Sequence, residues 1–298
     1  MPHVAALSTG FAHSAGLGPA EIVDVLLRAD AGGVVLDAAL DPGRLEGLER
    51  DLLRRAEELP VLAVEAPCPA GRYSSAELCS PDKDEAQVAL EAVEATIRRA
   101  GALGARFVAL RLGRVAMLDK EWAFARDKFL RADLEERLVR KLADAREDAG
   151  GRSLDAARRA IERLARAAEH AGLQLVVRNG RRFVDVPSPR ELGFLLADCA
   201  GAPLGSLFDL AAAHLPELMG FHSLAHTAEA FGKPALLAYV GDACGPVGSL
   251  APGRGMLDVA ALAKSLPASC AIAFSGWAGL TVAETVAALP AVDRATGS

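Results

Sequence analysis

The sequence lacks the marks of a nucleic-acid-binding, membrane-spanning or secreted protein. Its 33 Lys and Arg residues are outnumbered by 39 Asp and Glu residues, for a net charge of −6, whereas a nucleic-acid-binding domain usually presents excess positive charge. Uninterrupted apolar runs, such as residues 234–240, are far shorter than the ~20 residues of a spanning helix. Residues 1–10 contain no basic segment followed by an apolar one, so no signal peptide is predicted. We therefore expect neither nucleic acid nor a membrane as a partner.

Cysteine pairs and nucleotide-binding loops are also missing. The chain has an odd number of cysteines and no CxxC pair, which is typical of reduced thiols in a cytoplasmic protein: Cys68, Cys79, Cys199, Cys244 and Cys270. No GxGxxG motif follows the first predicted strand, and GxxxxGK(S/T) does not occur. These absences disfavour a doubly wound nucleotide-binding sheet.

What is present is an alternation of short apolar runs with segments of helical periodicity. Hydrophobic residues make up 51% of the chain, which is enough for a large core. Near-continuous apolar strands indicate a sheet covered on both faces. Eight such strands, each followed by a helical stretch, predict one (β/α)8 TIM barrel as a single domain over residues 1–298. The predicted strands are 4–7, 34–36, 61–64, 107–112, 173–177, 207–208, 235–240 and 271–274.

One charged segment interrupts this alternation after the fourth strand. Residues 114–151 carry apolar side chains at helical spacing and predict a helical insertion of one or two helices. Ser153 is then expected to cap a separate helix over residues 154–170. Three roles for the insertion stay open: it covers the barrel mouth, it contacts a partner, or it packs on its own barrel. The sequence is also compatible with a homo-oligomer.

Polar residues at strand ends are the candidates for function, because TIM barrels bind ligands at the carboxyl ends of their strands. The shortlist is Ser8, Asp37, Glu65, Arg111, Arg178, Asn179, Asp209, Tyr239, Asp242 and Ser275. Glu65 and Asp209 are the predicted catalytic carboxylates, since a positioned carboxylate can transfer a proton. The predicted ligand-binding residues are Arg111, Arg178, Asn179, Tyr239 and Asp242. A closed network of ion pairs without chemistry is the alternative.

Several segments in the later part of the chain resemble the xylose isomerase-like barrels of the sugar phosphate isomerase/epimerase superfamily. They are residues 135–137 (EER), 172–179 (GLQLVVRN), 186–192 (VPSPREL), 204–209 (LGSLFD) and 251–258 (APGRGMLD). The resemblance implies a TIM barrel and a divalent metal held by carboxylates and a histidine at the ends of strands five to eight. This chain departs from that ligand pattern. Arg178 replaces a glutamate, Ala212 replaces the histidine, and the strand-eight glutamate falls at Phe274 or Ser275, whereas Asp209 and Asp242 are retained.

These replacements predict a site without metal or any other cofactor. Arginine keeps its charge at every relevant pH, so Arg178 would repel an ion at that place. We expect Arg178 to point into the barrel mouth and to pair with Asp209 instead. The favoured function is a degenerate barrel that binds a small anionic or sugar-like ligand, with catalysis left open. The alternative is an active isomerase or epimerase that moves a proton on a sugar-like hydroxy-carbonyl substrate through its carboxylates.

Overall fold

Eight parallel strands close into a barrel in the order of the chain. The computed structural model describes residues 5–73, 75, 77–276 and 279–297. Each strand pairs with the strand that precedes and follows it, and β1 pairs with β8 to close the ring. The strands are β1 (Ala6–Ser8), β2 (Val34–Leu36), β3 (Val61–Ala66), β4 (Phe107–Leu110), β5 (Gln174–Arg178), β6 (Leu204–Asp209), β7 (Ala235–Tyr239) and β8 (Ala271–Phe274). The predicted TIM barrel is therefore confirmed; Val4, in the first predicted strand, lies outside the described residues.

Helices surround the barrel, and local sequence sets where several of them begin. Asp41 caps one helix by accepting the Gly43 and Arg44 N–H groups, and Ser188 forms the predicted capping box with Glu191. The helices are α1 (Phe11–Ala15), α2 (Pro19–Arg28), α3 (Pro42–Arg54), α4 (Lys83–Ala102), α5 (Asp119–Leu130), α6 (Glu136–His170), α7 (Pro189–Asp198), α8 (His214–Leu218), α9 (Leu224–Thr227), α10 (Val259–Ala263) and α11 (Val282–Thr296). Shorter elements are the 3-10 turns Gly71–Tyr73 and Ala116–Leu118, the π-helical turn Ala228–Gly232, and two antiparallel pairs, Gly113–Arg114 with Asp185–Val186 and Asp242–Cys244 with Val247–Leu250. No described helix combines the length and the apolar character needed to cross a membrane.

The boundary predicted at Gly151 is wrong. One continuous helix of 35 residues, α6, runs through Gly150, Gly151 and Ser153, so the charged segment is not an insertion that ends before a separate crossover helix. A Gly-Gly pair is typical of a turn, but Gly150 is buried next to the ion pair between Arg146 of α6 and Glu191 of α7. A Cβ there would lie 3.0 Å from Glu191 Oε1 and would overlap the Arg146 guanidinium. Glycine is present at position 150 for close packing, not for chain reversal.

The core has two parts separated by the barrel wall. Alternate residues of each strand point inward and form a cluster of small and apolar side chains: Ala6, Val35, Ala63, Phe107, Ala109, Val176, Leu207, Leu237, Tyr239 and Ala273. The other face of each strand packs on the helices in a larger cluster that includes Val34, Val64, Val108, Leu175 and Phe208. The inward pattern decides which side chains reach the carboxyl-end mouth of the barrel.

Candidate functional site

A ring of polar residues continues the inward-facing pattern to the mouth of the barrel. Seven of them follow an inner-core residue of the same strand by two positions and therefore lie on the same face: Ser8, Asp37, Glu65, Arg111, Arg178, Asp209 and Ser275. Tyr239 itself belongs to the inner core. The shortlist from strand ends therefore coincides with this ring, apart from Asn179 and Asp242. We call Asp37, Glu65, Arg111, Arg178, Asp209 and Tyr239 the mouth cluster.

Arg178 binds two carboxylates of the mouth cluster. Its Nε donates to Asp209 Oδ2 at 3.0 Å, one terminal nitrogen donates to the same oxygen, and Nη1 donates to Glu65 Oε1 at 3.3 Å. The guanidinium also lies over the Tyr239 ring, with 4.9 Å from Cζ to the ring centre. Burial opposes the charge, but Asp209 and Glu65 outweigh it and raise the pKa of Arg178. The ion pair expected between Arg178 and Asp209 is present.

Asp209 is fully occupied by hydrogen bonds. Besides the contact of Oδ2 with Arg178, Oδ1 accepts the Ala212 N–H at 3.0 Å, and the side chain is 3% exposed. Asn179 fixes the backbone at this point, because its amide donates to the Asp209 carbonyl at 3.0 Å and accepts the Asp209 N–H at 2.7 Å. These contacts make Asp209 and the buried Asn179 supports of the strand ends, so we do not carry forward a base role for Asp209 or a ligand contact for Asn179.

Glu65 and Arg111 form a further ion pair of the mouth cluster, in which Arg111 faces solvent. Glu65 is buried, and its Oε2 accepts a hydrogen bond from Arg111 Nη2 at 3.2 Å. The Arg111 side chain is 66% exposed, and within the described residues this is its only hydrogen bond. The Tyr239 hydroxyl is buried and has no hydrogen-bond partner among those residues. Burial, followed by the charge of Glu65, raises the pKa of Tyr239 well above its usual value.

Asp242, a predicted ligand-binding residue, holds a loop in place, and its ligand contact stays a prediction. It is completely buried, and its two carboxylate oxygens accept four backbone N–H groups at 2.7–3.0 Å, from Ala243, Gly253, Gly255 and Leu257. The carboxylate thus holds the loop of residues 251–257 against the short strand that follows β7. With its acceptors already used, Asp242 is an anchor for this loop, and we leave it out of the ligand-binding set.

Asp37, like Ser8 and Ser275, is on the shortlist but received no role from the sequence. It is partly buried, its Oδ1 accepts the Ala39 N–H at 2.7 Å, and its own N–H donates to Thr9 Oγ1 at 3.0 Å. Burial and the neighbouring charge of Glu65 raise its pKa. The spacing of two residues between Val35 and Asp37 places Asp37 on the inward face and could be seen in the sequence. The effect of Glu65 on Asp37 could not, because Glu65 is 28 positions away and becomes a neighbour only through strand pairing.

The donor set at the mouth does not fit a divalent metal ion. The guanidinium of Arg178 bonds to both Glu65 and Asp209, and the remaining Asp209 oxygen accepts a backbone N–H. An ion would need several free oxygen or imidazole ligands in one place. Within residues 5–73, 75, 77–276 and 279–297, no cluster of three or more His, Cys, Asp or Glu side chains is arranged to hold one. That the protein works without metal stays a prediction.

Comparison with known proteins gives similarity at the level of fold. No family model matches the chain, and no curated protein matches it. Among solved structures, a D-tagatose 3-epimerase-like protein shares 14% identity with a TM-score of 0.68, covering 98% of this chain and 96% of its own. An L-ribulose 3-epimerase shares 17% identity with a TM-score of 0.66 over 100% and 95% of the two chains. The 3-keto-D-glucoside 4-epimerase of E. coli shares 12% identity with a TM-score of 0.65 over 93% and 94%. The chain thus has the TIM-barrel fold of these three proteins.

Proposed function

We propose that the protein binds a small anionic or sugar-like ligand at the barrel mouth, over the mouth cluster and without a metal ion. The observation that carries this proposal is the exposure of Arg111 and the small number of hydrogen bonds that it makes. Its side chain is two-thirds exposed just after β4, and its guanidinium makes one hydrogen bond within the described residues, which leaves most of its five N–H donors available to a ligand. Arg178, by contrast, is committed to Glu65 and Asp209.

An exposed guanidinium above a buried carboxylate suits two kinds of ligand. Its planar fork binds a carboxylate or phosphate through two parallel hydrogen bonds. The hydroxyl groups of a sugar can accept hydrogen bonds from Arg111 and donate hydrogen bonds to a carboxylate of the mouth cluster. The fold supports the second kind, since similar structures include a D-psicose 3-epimerase solved in the presence of D-fructose.

Ligand binding can be measured by thermal shift and calorimetry with sulfate, D-fructose and D-tagatose. A ligand at 100 times its dissociation constant adds about 2.7 kcal/mol to the free energy of unfolding. Arg111→Met should weaken binding at least tenfold, because one charge-assisted contact is worth about 1.5–3 kcal/mol. Its unliganded melting temperature should change little, since Arg111 is two-thirds exposed and the buried Glu65 keeps Arg178 as its counter-charge.

Arg140→Met is the matched control for this experiment. Arg140 is 72% exposed on α6 and pairs with Glu136 one helical turn away, so it carries the same charge with similar exposure in an ion pair that includes no residue of the mouth cluster. Binding equal to wild type is expected in this variant. Ligand binding that survives in Arg111→Met, or no binding of any probe to the wild-type protein, would contradict the proposal.

The metal-free part of the proposal has its own test. We expect elemental analysis of the dialysed protein to find no stoichiometric zinc, manganese or magnesium. One ion per chain that is lost in Asp209→Asn would show that the mouth cluster rearranges to bind a metal.

A second candidate function is proton transfer on a hydroxy-carbonyl sugar, favoured by the burial of the Glu65 carboxylate beside the exposed Arg111. In this reaction Glu65 would take a proton from the carbon next to a carbonyl group and return it after the electron pair has moved onto the carbonyl oxygen. Incubation with D-fructose in D2O would then incorporate deuterium at that carbon, and Glu65→Gln would stop the incorporation. If D-fructose binds without deuterium exchange, the proton-transfer function is wrong and only the ligand-binding function remains.

A further inference from the structure

Asp37 lies next to Glu65 at the mouth but does not share its ion pairs. β2 and β3 pair in parallel with Val35 opposite Ala63, so the same register continued by two residues sets Asp37 opposite Glu65. Glu65 accepts hydrogen bonds from both arginines of the mouth cluster. Asp37 has only the Ala39 N–H on Oδ1, and Oδ2 has no hydrogen-bond partner among the residues that the structure describes.

Space is left beside the unpartnered oxygen. Position 10, next to it, is glycine, and a Cβ there would stand 3.2 Å from Asp37 Oδ2. Because position 10 carries no side chain, the space beside this oxygen is unfilled on that side. The charge of Arg111 acts on the Asp37 carboxyl group, so the two side chains lie near one another and one small ligand can reach both.

The charges of the mouth cluster balance except for Asp37. Glu65 and Asp209 supply two negative charges and Arg111 and Arg178 supply two positive ones, so ionised Asp37 gives the mouth a net charge of −1. Among the side chains that the structure describes, the other titratable groups that face Asp37 are Tyr239 and Cys68. Both are neutral near pH 7, since burial raises the pKa of Tyr239 well above its usual value and that of Cys68 to about 12. The protonation state of Asp37 thus decides whether the mouth is neutral or negative.

We propose that Asp37 is a further ligand-contacting residue, which binds a small oxyanion at Arg111 only with its carboxyl group protonated and donates a hydrogen bond from Oδ2 to the anion. This inference rests on the proposed ligand-binding function and adds the class and charge of the ligand. A protonated carboxyl removes the net negative charge that would repel an anion and supplies a donor in place of an acceptor. Burial and the charge of Glu65, which raise the pKa of Asp37, favour this form, and the charges of Arg111 and Arg178 oppose it.

The coupling requires that anion binding takes up a proton. Above the pKa of Asp37, each bound anion brings one proton with it, so affinity falls by up to about tenfold for each unit that pH rises. Sulfate is the probe, because it does not titrate between pH 5 and 8. Calorimetry in two buffers with different ionisation enthalpies, with chloride at equal ionic strength as reference, measures the protons taken up.

Asp37→Asn keeps the shape of the side chain and its acceptor for Ala39 but cannot ionise. We expect it to bind sulfate without proton uptake, with an affinity that is independent of pH and exceeds that of wild type at pH 8. Asp41→Asn is the matched control, because it removes a carboxylate four residues away while asparagine caps α3 equally well. This control should behave as wild type. Proton uptake that persists in Asp37→Asn, or wild-type binding without uptake, would overturn the inference.

The two proposals fail in distinguishable ways. If Asp37→Asn binds sulfate and the wild-type protein does not, the charge of Asp37 is the obstacle and the inference is supported. If neither binds sulfate, the inference is overturned, whereas the proposed function stands or falls with the D-fructose and D-tagatose measurements. The titration of Asp37 is also measured without a ligand, from the pH dependence of stability. A raised pKa in the folded state means that wild type loses stability relative to Asp37→Asn as pH rises through that pKa. A stability difference that does not vary with pH would overturn the inference independently of any ligand.

Discussion

Removal of the Arg178 guanidinium should destabilise the protein because it leaves a buried carboxylate without its counter-charge. Arg178, Glu65 and Asp209 have side chains that are 12%, 5% and 3% exposed. In Arg178→Met, Glu65 keeps Arg111, whereas Asp209 retains only the Ala212 N–H. Loss of one member of a buried ion pair costs about 3–5 kcal/mol. At roughly 2 °C per kcal/mol for a chain of this size, the melting temperature should fall by about 6–10 °C.

Urea unfolding of three variants tests this reasoning. Arg178→Met combined with Asp209→Leu should recover more than half of the lost free energy of unfolding, because the orphaned charge is removed together with its partner. Arg140→Met, which breaks an exposed pair, should cost less than ~1 kcal/mol. A loss below about 1 kcal/mol in Arg178→Met, or no recovery in the double variant, would mean that water solvates Asp209 and that its ion pair with Arg178 is not a buried one.

Three further predictions concern elements outside the mouth cluster. Gly151→Ala should stabilise the protein by about 0.5–1 kcal/mol, because the added methyl group lies on an exposed helix face and meets no described atom within 4 Å. Gly150→Ala should destabilise the protein, because its methyl group would displace Arg146. Equal effects of the two substitutions on the free energy of unfolding in urea would contradict this account. Asp242→Asn should speed amide hydrogen exchange across residues 251–257, since asparagine cannot accept four N–H groups in the same way, and unchanged protection there would remove the anchor role. Burial and the charge of Arg146 lower the pKa of His222 to about 4. As pH drops, this histidine is protonated in the unfolded chain before it is protonated in the folded protein, so the free energy of unfolding should fall between about pH 6.5 and 4. The dependence of stability on pH should be weaker in His222→Gln.

The sequence alone determined the strand and helix alternation, the barrel, and the polar ring at its mouth. These features depend on periods of two and 3.6 residues, which are local and can be counted along the chain. The position of Arg178 on the inward face follows from the same period, and so does that of Asp37. Capping at Ser188 is equally local, because donor and acceptor are three residues apart.

Tertiary structure decided which partner each side chain meets. The Gly-Gly pair at residues 150–151 is typical of a turn until the Arg146–Glu191 pair is seen packed against Gly150. The donors to Asp242 come mostly from a loop 11–15 positions further along, which has no periodic pattern that would reveal the contact. Glu65 accepts hydrogen bonds from both arginines, whereas Asp37 has no ion pair among the described residues. This difference arises only when the parallel strands assemble and bring Arg111 and Arg178 to Glu65. Such contacts depend on register and packing between distant segments, and these are fixed by the folded chain as a whole.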